Sequence, residues 1–507
     1  MLNGGGTVSR RRLLGQGIAW NFWYQLFETA LGFGVMIILV RIISPAEYGR
    51  FGTALGLLAV LNSFGFASFA THALQLPDGR EPDWSLHWSA GLYIQTSLML
   101  ICHGLAGLCW LAPAYREIAP LLHLAALGLI LDWPAQLRAV MLRREMNFPR
   151  LRTLFACSTL LNYGTTMAMG LAGGGAYAIV LGSNVVMALP PAVDLLLVCR
   201  WRPRPGWWRL PDWTLYGAAL RFGLQQSGSA LLGRIRGALE SMVLPAAVGF
   251  VAMGLLNRSR ALFIHTVGRV AQILVETSYP LLPRYAPHAE VYARRITLLW
   301  QILTFVLLPG ALYVGLEGPA LSRLVYGERW IAADPLFWPA ALMGLGIGLF
   351  GAGSSVLLAA SHLRLCLLLD AFAAALAVPT VAVAWLGGGV VAYGWAVAAS
   401  QLATGTVVLA VASSKLGIDW VRPVLVPPAV CSVLALGVVV IGDASGPVLS
   451  LVVRLCLDTA LYVLAVAAAW RSLFPGPLAT VLSQVPGGDR VSRWLRLAVA
   501  PTASTVR

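Results

Sequence analysis

Between residues 221 and 276, an otherwise apolar stretch carries Arg221, Arg234, Arg236, Glu240, Arg258, Arg260, His265, Arg269 and Glu276. Charges at bilayer depth are costly and face a protein interior or a wet cavity. Arginines gathered in such a setting suit an anion, because each guanidinium offers paired N–H donors in a fixed fork. At about 100° per residue, Arg258, His265, Arg269, Gln272 and Glu276 fall within roughly 60° of one another on a helix. That stripe runs along about 27 Å, close to the thickness of a hydrocarbon core. On the helix before it, Arg221, Gln225, Gly228 and Arg236 share one broader face. Two readings are open. The helices wall a positively charged, water-filled cavity, or they are joined by a wet loop with the arginines at the interfaces.

A second polar set lies nearer the N-terminus. Asn21, Gln25, Glu28 and Gly32 lie within about 60° of one helix face, so Asn21 and Gln25 join the candidate cavity residues. Glu28 falls near mid-membrane, as a proton site or as the counter-charge of an arginine on the seventh or eighth span. Asp132-Trp133-Pro134 sets a carboxylate beside a helix breaker, and Gln136 shares its face. Asp132 is either a coupling-ion ligand or the cap of a local kink. With Glu276, these two carboxylates form the ion-coupling or charge-balancing group. Asp194, after Pro190-Pro191, reads as a wet carboxylate near a helix end, and Arg454 with Asp458 reads as an i,i+4 pair.

Enzyme signatures do not occur. Lys415 lies in Ser414-Lys415-Leu416 and not in a Walker A sequence, and there is no His-Glu-x-x-His. The seven cysteines form no Cys-x-x-Cys pair and no zinc spacing, so they read as small apolar fillers. No catalytic residue, cofactor or metal is expected.

The elements that must position these residues are transmembrane helices. With mean hydropathy +0.76, 58% hydrophobic and 11% charged residues, 507 residues could not hide their apolar surface as a soluble domain. The apolar runs are continuous, about 20 residues each, without the alternation that barrel strands need. The expected fold is an all-α polytopic membrane protein with about fourteen spans: 18–40, 51–74, 88–112, 117–138, 153–173, 175–199, 216–239, 246–276, 294–316, 334–359, 364–386, 390–413, 423–442 and 448–470. The net charge is +15, with Lys415 the one lysine among 36 basic residues. In a soluble chain that balance suggests nucleic acid; here the positive-inside rule accounts for it, and no nucleic-acid partner is expected. Arg10–Arg12, then Arg138, Arg143, Arg144, Arg150 and Arg152, then Arg200, Arg202, Arg204 and Arg209, fall in segments on one side. Outer-loop arginines are mostly balanced by Glu47, Glu117, Glu317, Glu328 and Asp334. Both termini are therefore expected in the cytoplasm.

The chain also echoes itself. Pro45-Ala46-Glu47-Tyr48-Gly49 and Pro245-Ala246-Ala247-Val248-Gly249 are 200 residues apart, each between an odd span and the next even one. Ile118-Ala119-Pro120-Leu121 resembles Ile331-Ala332-Ala333-Asp334-Pro335-Leu336. A duplication follows, with two six-helix lobes of like orientation. The expected organisation is a tail (1–17), a first lobe (18–213), a second lobe (214–415), two extra helices (416–470) and a basic tail (471–507).

Arg41-Ile-Ile-Ser-Pro-Ala-Glu-Tyr-Gly-Arg-Phe-Gly52 resembles the signature after the first helix of bacterial polysaccharide flippases. These belong to the multidrug/oligosaccharidyl-lipid/polysaccharide flippase superfamily. Leu142–Arg150, Gly254–Arg260, Tyr279–Arg284 and Val325–Ile331 are similar to further family segments. The first helix lacks the basic residues that lipid II flippases carry there, which argues against lipid II as cargo. The resemblance implies two lobes rocking about a central cavity in the bacterial inner membrane. It implies as partner a polyprenyl-diphosphate-linked oligosaccharide, moved from inner to outer leaflet beside polysaccharide polymerase and glycosyltransferases. A multidrug exporter of the same superfamily would favour carboxylates in its cavity. A membrane glycosyltransferase or polymerase would need acidic residues on a sizeable outer loop.

Overall fold

The computed structural model describes residues 6–77, 80–278, 282, 289–418, 421–443 and 451–473. All regular structure among them is helical. Among the described residues, nine segments are long and apolar enough to cross a membrane, and one, Leu363–Leu416, runs to 54 residues. At about 1.5 Å per residue, 54 residues would reach far beyond one bilayer, so that segment must turn back. It does so at Gly387 and Gly389, whose φ values of 89° and 71° fall where only glycine is unstrained. The spans expected from the sequence overlap helical segments among the described residues, and the architecture is consistent with that reading. The contact map divides the chain between Gly254 and Leu255 into two compact units.

In the first unit, α1 (Gly6–Ile42) includes residues well before the expected start at 18. Arg10–Arg12 therefore ride on the same helix, N-terminal to its membrane-length part, Trp23–Ile42. α2 (Pro45–Ser63) begins at an N-cap: Ser44 Oγ accepts from the Glu47 N–H at 3.3 Å, and Pro45 sits where a missing N–H costs nothing. α3 (Phe66–Ala70) is one short turn. α4 (Trp84–Leu111) is capped by Asp83, which accepts from the Ser85 and Leu86 N–H groups. α5 (Ala119–Arg144) runs through Pro134. In the turn that Pro134 weakens, Gln95 of α4 donates to the Leu129 carbonyl at 3.0 Å. α6 (Phe148–Leu171) starts at Asn147, whose Oδ1 accepts from the Arg150 N–H.

The sixth expected span, 175–199, is irregular. α7 (Gly175–Val180) passes through a π turn, a 3-10 turn and α8 (Leu189–Val193) into a second π turn, Asp194–Val198. The Arg41–Gly52 signature ties this helix to α2. Glu47 Oε2 accepts from the Ala176 N–H at 2.8 Å, Arg50 pairs with Glu47, and Arg50 Nε donates to Glu117 at 2.5 Å. An anion at the first turn of α7 is stabilised by its unpaired N–H groups.

α9 (Gly217–Phe263) is a single run broken at Gly249 (φ 84°, ψ 168°). Within the first unit its residues up to Gly254 pack on α2 through glycines. A Cβ at Gly49 would meet the Phe250 backbone, and one at Gly56 would meet Ser241. Such close approach of backbones is how membrane helices associate without a hydrophobic drive between them. The duplication boundary read from the sequence, near residue 214, concerns repeated helices, whereas the packing boundary lies at 254.

The second unit contains α10 (Arg269–Ser278), α11 (Ala289–Tyr326), α12 (Phe337–Ala359), α13 (Leu363–Ala375), α14 (Ala377–Val383), α15 (Gly389–Leu416), α16 (Val426–Asp443) and α17 (Leu451–Leu473). α12 and α15 are interlocked at Gly346, where a Cβ would strike the Gln401 carbonyl, and at Gly405, opposite the Gly346 oxygen. Tyr279–Arg284 apart from Leu282, the Arg454 side chain, and residues 474–507 lie outside the described residues.

Candidate functional site

The cationic stripe starts in the second unit. Arg258 is half-buried on α9, and its carbonyl accepts from the Tyr326 hydroxyl at 3.4 Å. Between α9 and α10 lies a π turn, Ile264–Gly268. A π turn adds about one residue to the helix, which opens the angle between Arg258 and Arg269 from about 20° to about 80°. The narrow face expected from uniform helix geometry is therefore a broader cationic arc. Thr266 Oγ1 takes up the Leu262 carbonyl at 2.6 Å and stabilises the irregular turn. His265 is exposed, and the charges of Arg258 and Arg269 both act on it. Arg269 is half-buried and donates to Gln272 Oε1 at 3.3 Å, while Gln272 is exposed. The Glu276 side chain lies outside the described residues.

The other sequence-derived cavity residues belong to the first unit. Arg221 and Gln225 are exposed on α9, and Arg236 is half-buried. Arg234 does something else: its Nη1 donates to the Ala59 carbonyl at 2.8 Å and to Ser63 Oγ at 3.2 Å, at the carbonyl-rich end of α2. Asn21, Gln25 and Glu28 are half-buried on α1. A Cβ at Gly32 would meet the Tyr163 hydroxyl at 2.6 Å, so this α1 face packs on α6. Tyr24, on the same helix, bonds Thr159 Oγ1 at 3.2 Å. The arginine whose charge Glu28 reaches within this unit is Arg152 of α6.

Arg152 was counted among loop charges, yet the Asn147 cap starts α6 early enough to carry it into the helix. Its guanidinium lies over the Tyr24 ring at 5.2 Å and the Phe155 ring at 5.5 Å. It borders an open-sided cavity of about 500 Å³ lined by helices of the first unit, whose polar wall includes Tyr24, Asp132, Gln136, Arg152, Ser158 and Asn184. Asp132 Oδ1 accepts from Gln136 Nε2 at 3.0 Å, and Oδ2 from Gln95 Nε2 at 3.5 Å. Asp132 thus faces a cavity with its carboxylate held by two amides. Sequence reasoning missed Arg152, Ser158 and Asn184; Asn147-Phe148-Pro149, a helix-start signature, was the available signal for Arg152.

Two further corrections concern charges near the end of the sixth span. Asp194 is not wet. It is 5% exposed and accepts from Arg138 Nε at 2.6 Å and from Arg150 Nη2 at 2.5 Å. Arg138, likewise, is a buried residue of α5 and not a loop charge. The π turn at Asp194–Val198 and the Pro190-Pro191 pair before it turn this carboxylate inward.

Comparison with known proteins places this architecture. A membrane protein of the cps region of Klebsiella pneumoniae is 19% identical over 320 residues, covering 62% of this chain and 65% of that protein. The teichuronic acid biosynthesis protein TuaB of Bacillus subtilis is 23% identical over 296 residues, covering 57% and 60%. The chain thus spans under two thirds of the length of these relatives. The structure of the lipid II flippase MurJ in an inward closed conformation superposes with TM-score 0.73 at 10% identity, covering 90% of this chain and 99% of that one. An inward-facing multidrug resistance MATE family transporter gives TM-score 0.54 at 15% identity, covering 77% and 94%. These likenesses establish the fold of a multi-pass membrane protein. Residues 38–335, more than half of the chain, match the family described as polysaccharide biosynthesis protein, and to that family this chain belongs.

Proposed function

We propose that the protein is a flippase that moves a polyprenyl-diphosphate-linked oligosaccharide from the inner to the outer leaflet of the bacterial inner membrane by alternating access, with both termini cytoplasmic. The observation that carries this reading is the cationic arc of Arg258 and Arg269, with His265 between them, set around a π turn within an apolar span of a polysaccharide biosynthesis protein. Helix distortions of this kind are frequent at functional sites. A diphosphate needs guanidinium donors where water is scarce, and an arginine supplies two parallel N–H groups to it. Gln272 adds an amide to the same arc, and Arg221, Gln225, Arg236, Asn21 and Gln25 are the proposed headgroup and sugar contacts of the first unit. Glu28, Asp132 and Glu276 are the proposed charge-balancing or ion-coupling groups.

Energy for export need not come from a nucleotide. Moving two negative charges outward is favoured by an inside-negative potential by about 2.3 kcal/mol per charge per 100 mV. Glycosyltransferases that build the repeat unit and a polymerase that consumes it are the implied functional partners. The test is translocation of a fluorescent lipid-linked oligosaccharide in proteoliposomes. Arg258→Gln/Arg269→Gln, checked for correct insertion, should slow flipping at least about 100-fold, two charged hydrogen-bonded contacts being worth about 3 kcal/mol or more. Flipping at the normal rate by that double variant would dismiss the assigned headgroup site.

A further inference from the structure

The cavity of the first unit has a chemistry distinct from the cationic arc. It combines an acceptor, Asp132, with donors, Arg152 and Ser158, in walls that are otherwise largely small and apolar. Ser158 is 2% exposed, and its Oγ has no hydrogen-bond partner among the described residues. The same holds for Arg152 Nε, which is buried and unsatisfied. Arg152 forms no ion pair among the described residues, although the charge of Glu28 acts on it. Unsatisfied buried polar atoms are rare in native proteins and mark a missing partner.

Size selects among partners. A bare cation occupies less space than one water, about 30 Å³. A cavity of about 500 Å³ falls within the roughly 300–1,000 Å³ of small-molecule sites. Polarity selects further. Asp132 is fixed by Gln136 and Gln95 and still has lone pairs for hydroxyl donors. The Arg152 guanidinium carbon sits 5.2 Å from the Tyr24 ring centre and 5.5 Å from that of Phe155, which holds the group against one wall, and its Nε–H is left for a carboxylate.

We propose that this cavity is a sugar subsite that takes one acidic, uronate-type residue of the glycan, with Arg152 and Ser158 holding its carboxylate and Asp132 its ring hydroxyls. The proposal rests on the reading of the protein as a glycan carrier, and it names the class of sugar carried.

The test measures binding of methyl glucuronide and of methyl glucoside to the purified full-length protein in nanodiscs. The glucuronide should bind at least tenfold more tightly. Arg152→Gln should erase that preference, Arg152→Lys should keep part of it, and Asp132→Asn should weaken both sugars about tenfold. Melting curves establish folding; should Arg152→Gln fail to fold, Arg152→Lys and Ser158→Ala carry the test, with a three- to tenfold loss of the preference expected. Equal affinity of wild-type protein for the two sugars would overturn the proposal. So would a saturable sodium response, without sugar, that Asp132→Asn abolishes. Wild-type flipping of a lipid-linked glycan is assayed separately. Glucuronide binding without flipping discards the carrier reading and keeps the subsite, whereas flipping without glucuronide preference discards the subsite alone.

Discussion

Substitution of Asp194 by asparagine should destabilise the first unit severely. The carboxylate accepts N–H groups from Arg138 Nε at 2.6 Å and from Arg150 Nε and Nη2 at 3.1 and 2.5 Å. Asp194 and Arg138 are each 5% exposed. Removing one partner of a buried pair leaves the other charge uncompensated, at a cost of about 3–5 kcal/mol. The Arg150 side chain is 42% exposed, so its share is screened and adds less than about 1 kcal/mol. Glu145 lies 4.0 Å from Arg138, but it is largely exposed and offers weak replacement. At roughly 2–4 °C per kcal/mol for a unit of this size, the melting temperature should fall by about 6–20 °C. The assay is tryptophan fluorescence on heating in detergent, with monodispersity as a second readout. Replacing both charges, as Arg138→Met/Asp194→Leu, should recover most of that loss, because a buried pair contributes little beyond an apolar pair of similar volume. A melting point for Asp194→Asn within 2 °C of wild type, or a double variant less stable than the single one, would refute the reasoning.

Backbone approach and backbone conformation should separate cleanly at two glycines. Gly49→Val should cost about 2 kcal/mol or more, read as lost yield and a lower melting point, because its Cβ would strike the Phe250 backbone, which cannot rotate away. Gly249→Ala has open space around it and should cost about 1–3 kcal/mol, the penalty of an extended backbone at positive φ that only glycine adopts freely. Glu28→Gln should alter the response of flipping to an imposed sodium or proton gradient, and an unchanged gradient dependence would remove Glu28 from any coupling role.

The charge pattern of the sequence divides according to what placed each residue. Spans, and the turns at Gly173–Gly175 and Gly387–Gly389, follow from local rules, and the structure has positive φ at Gly173, Gly175, Gly387 and Gly389. The Ser44-Pro45-Ala46-Glu47 start of α2 is equally local, since capping involves atoms three residues apart. The Arg258–Arg269 register does not follow from uniform helix geometry, because a π turn leaves no reliable local signature and rotates everything downstream. Asp194 reads as wet, and Arg152 as one more arginine on one side, because their partners are distant in sequence: Tyr24 lies on α1, and Arg138 and Arg150 lie on α5 and α6.

By itself, the sequence determined that this chain is a helical, multi-pass membrane protein with unusual intramembrane arginines, because hydropathy and helix capping act over distances of a few residues. Only the tertiary structure decided which charges are neutralised and which stay available. It buried Asp194 between two arginines, set Arg152 on two aromatic rings at the edge of a cavity, and held Asp132 with amides from two helices. The physical reason is that the strength of a charge depends on its partners and its dielectric surroundings, and both are supplied by helices that meet only when the chain folds.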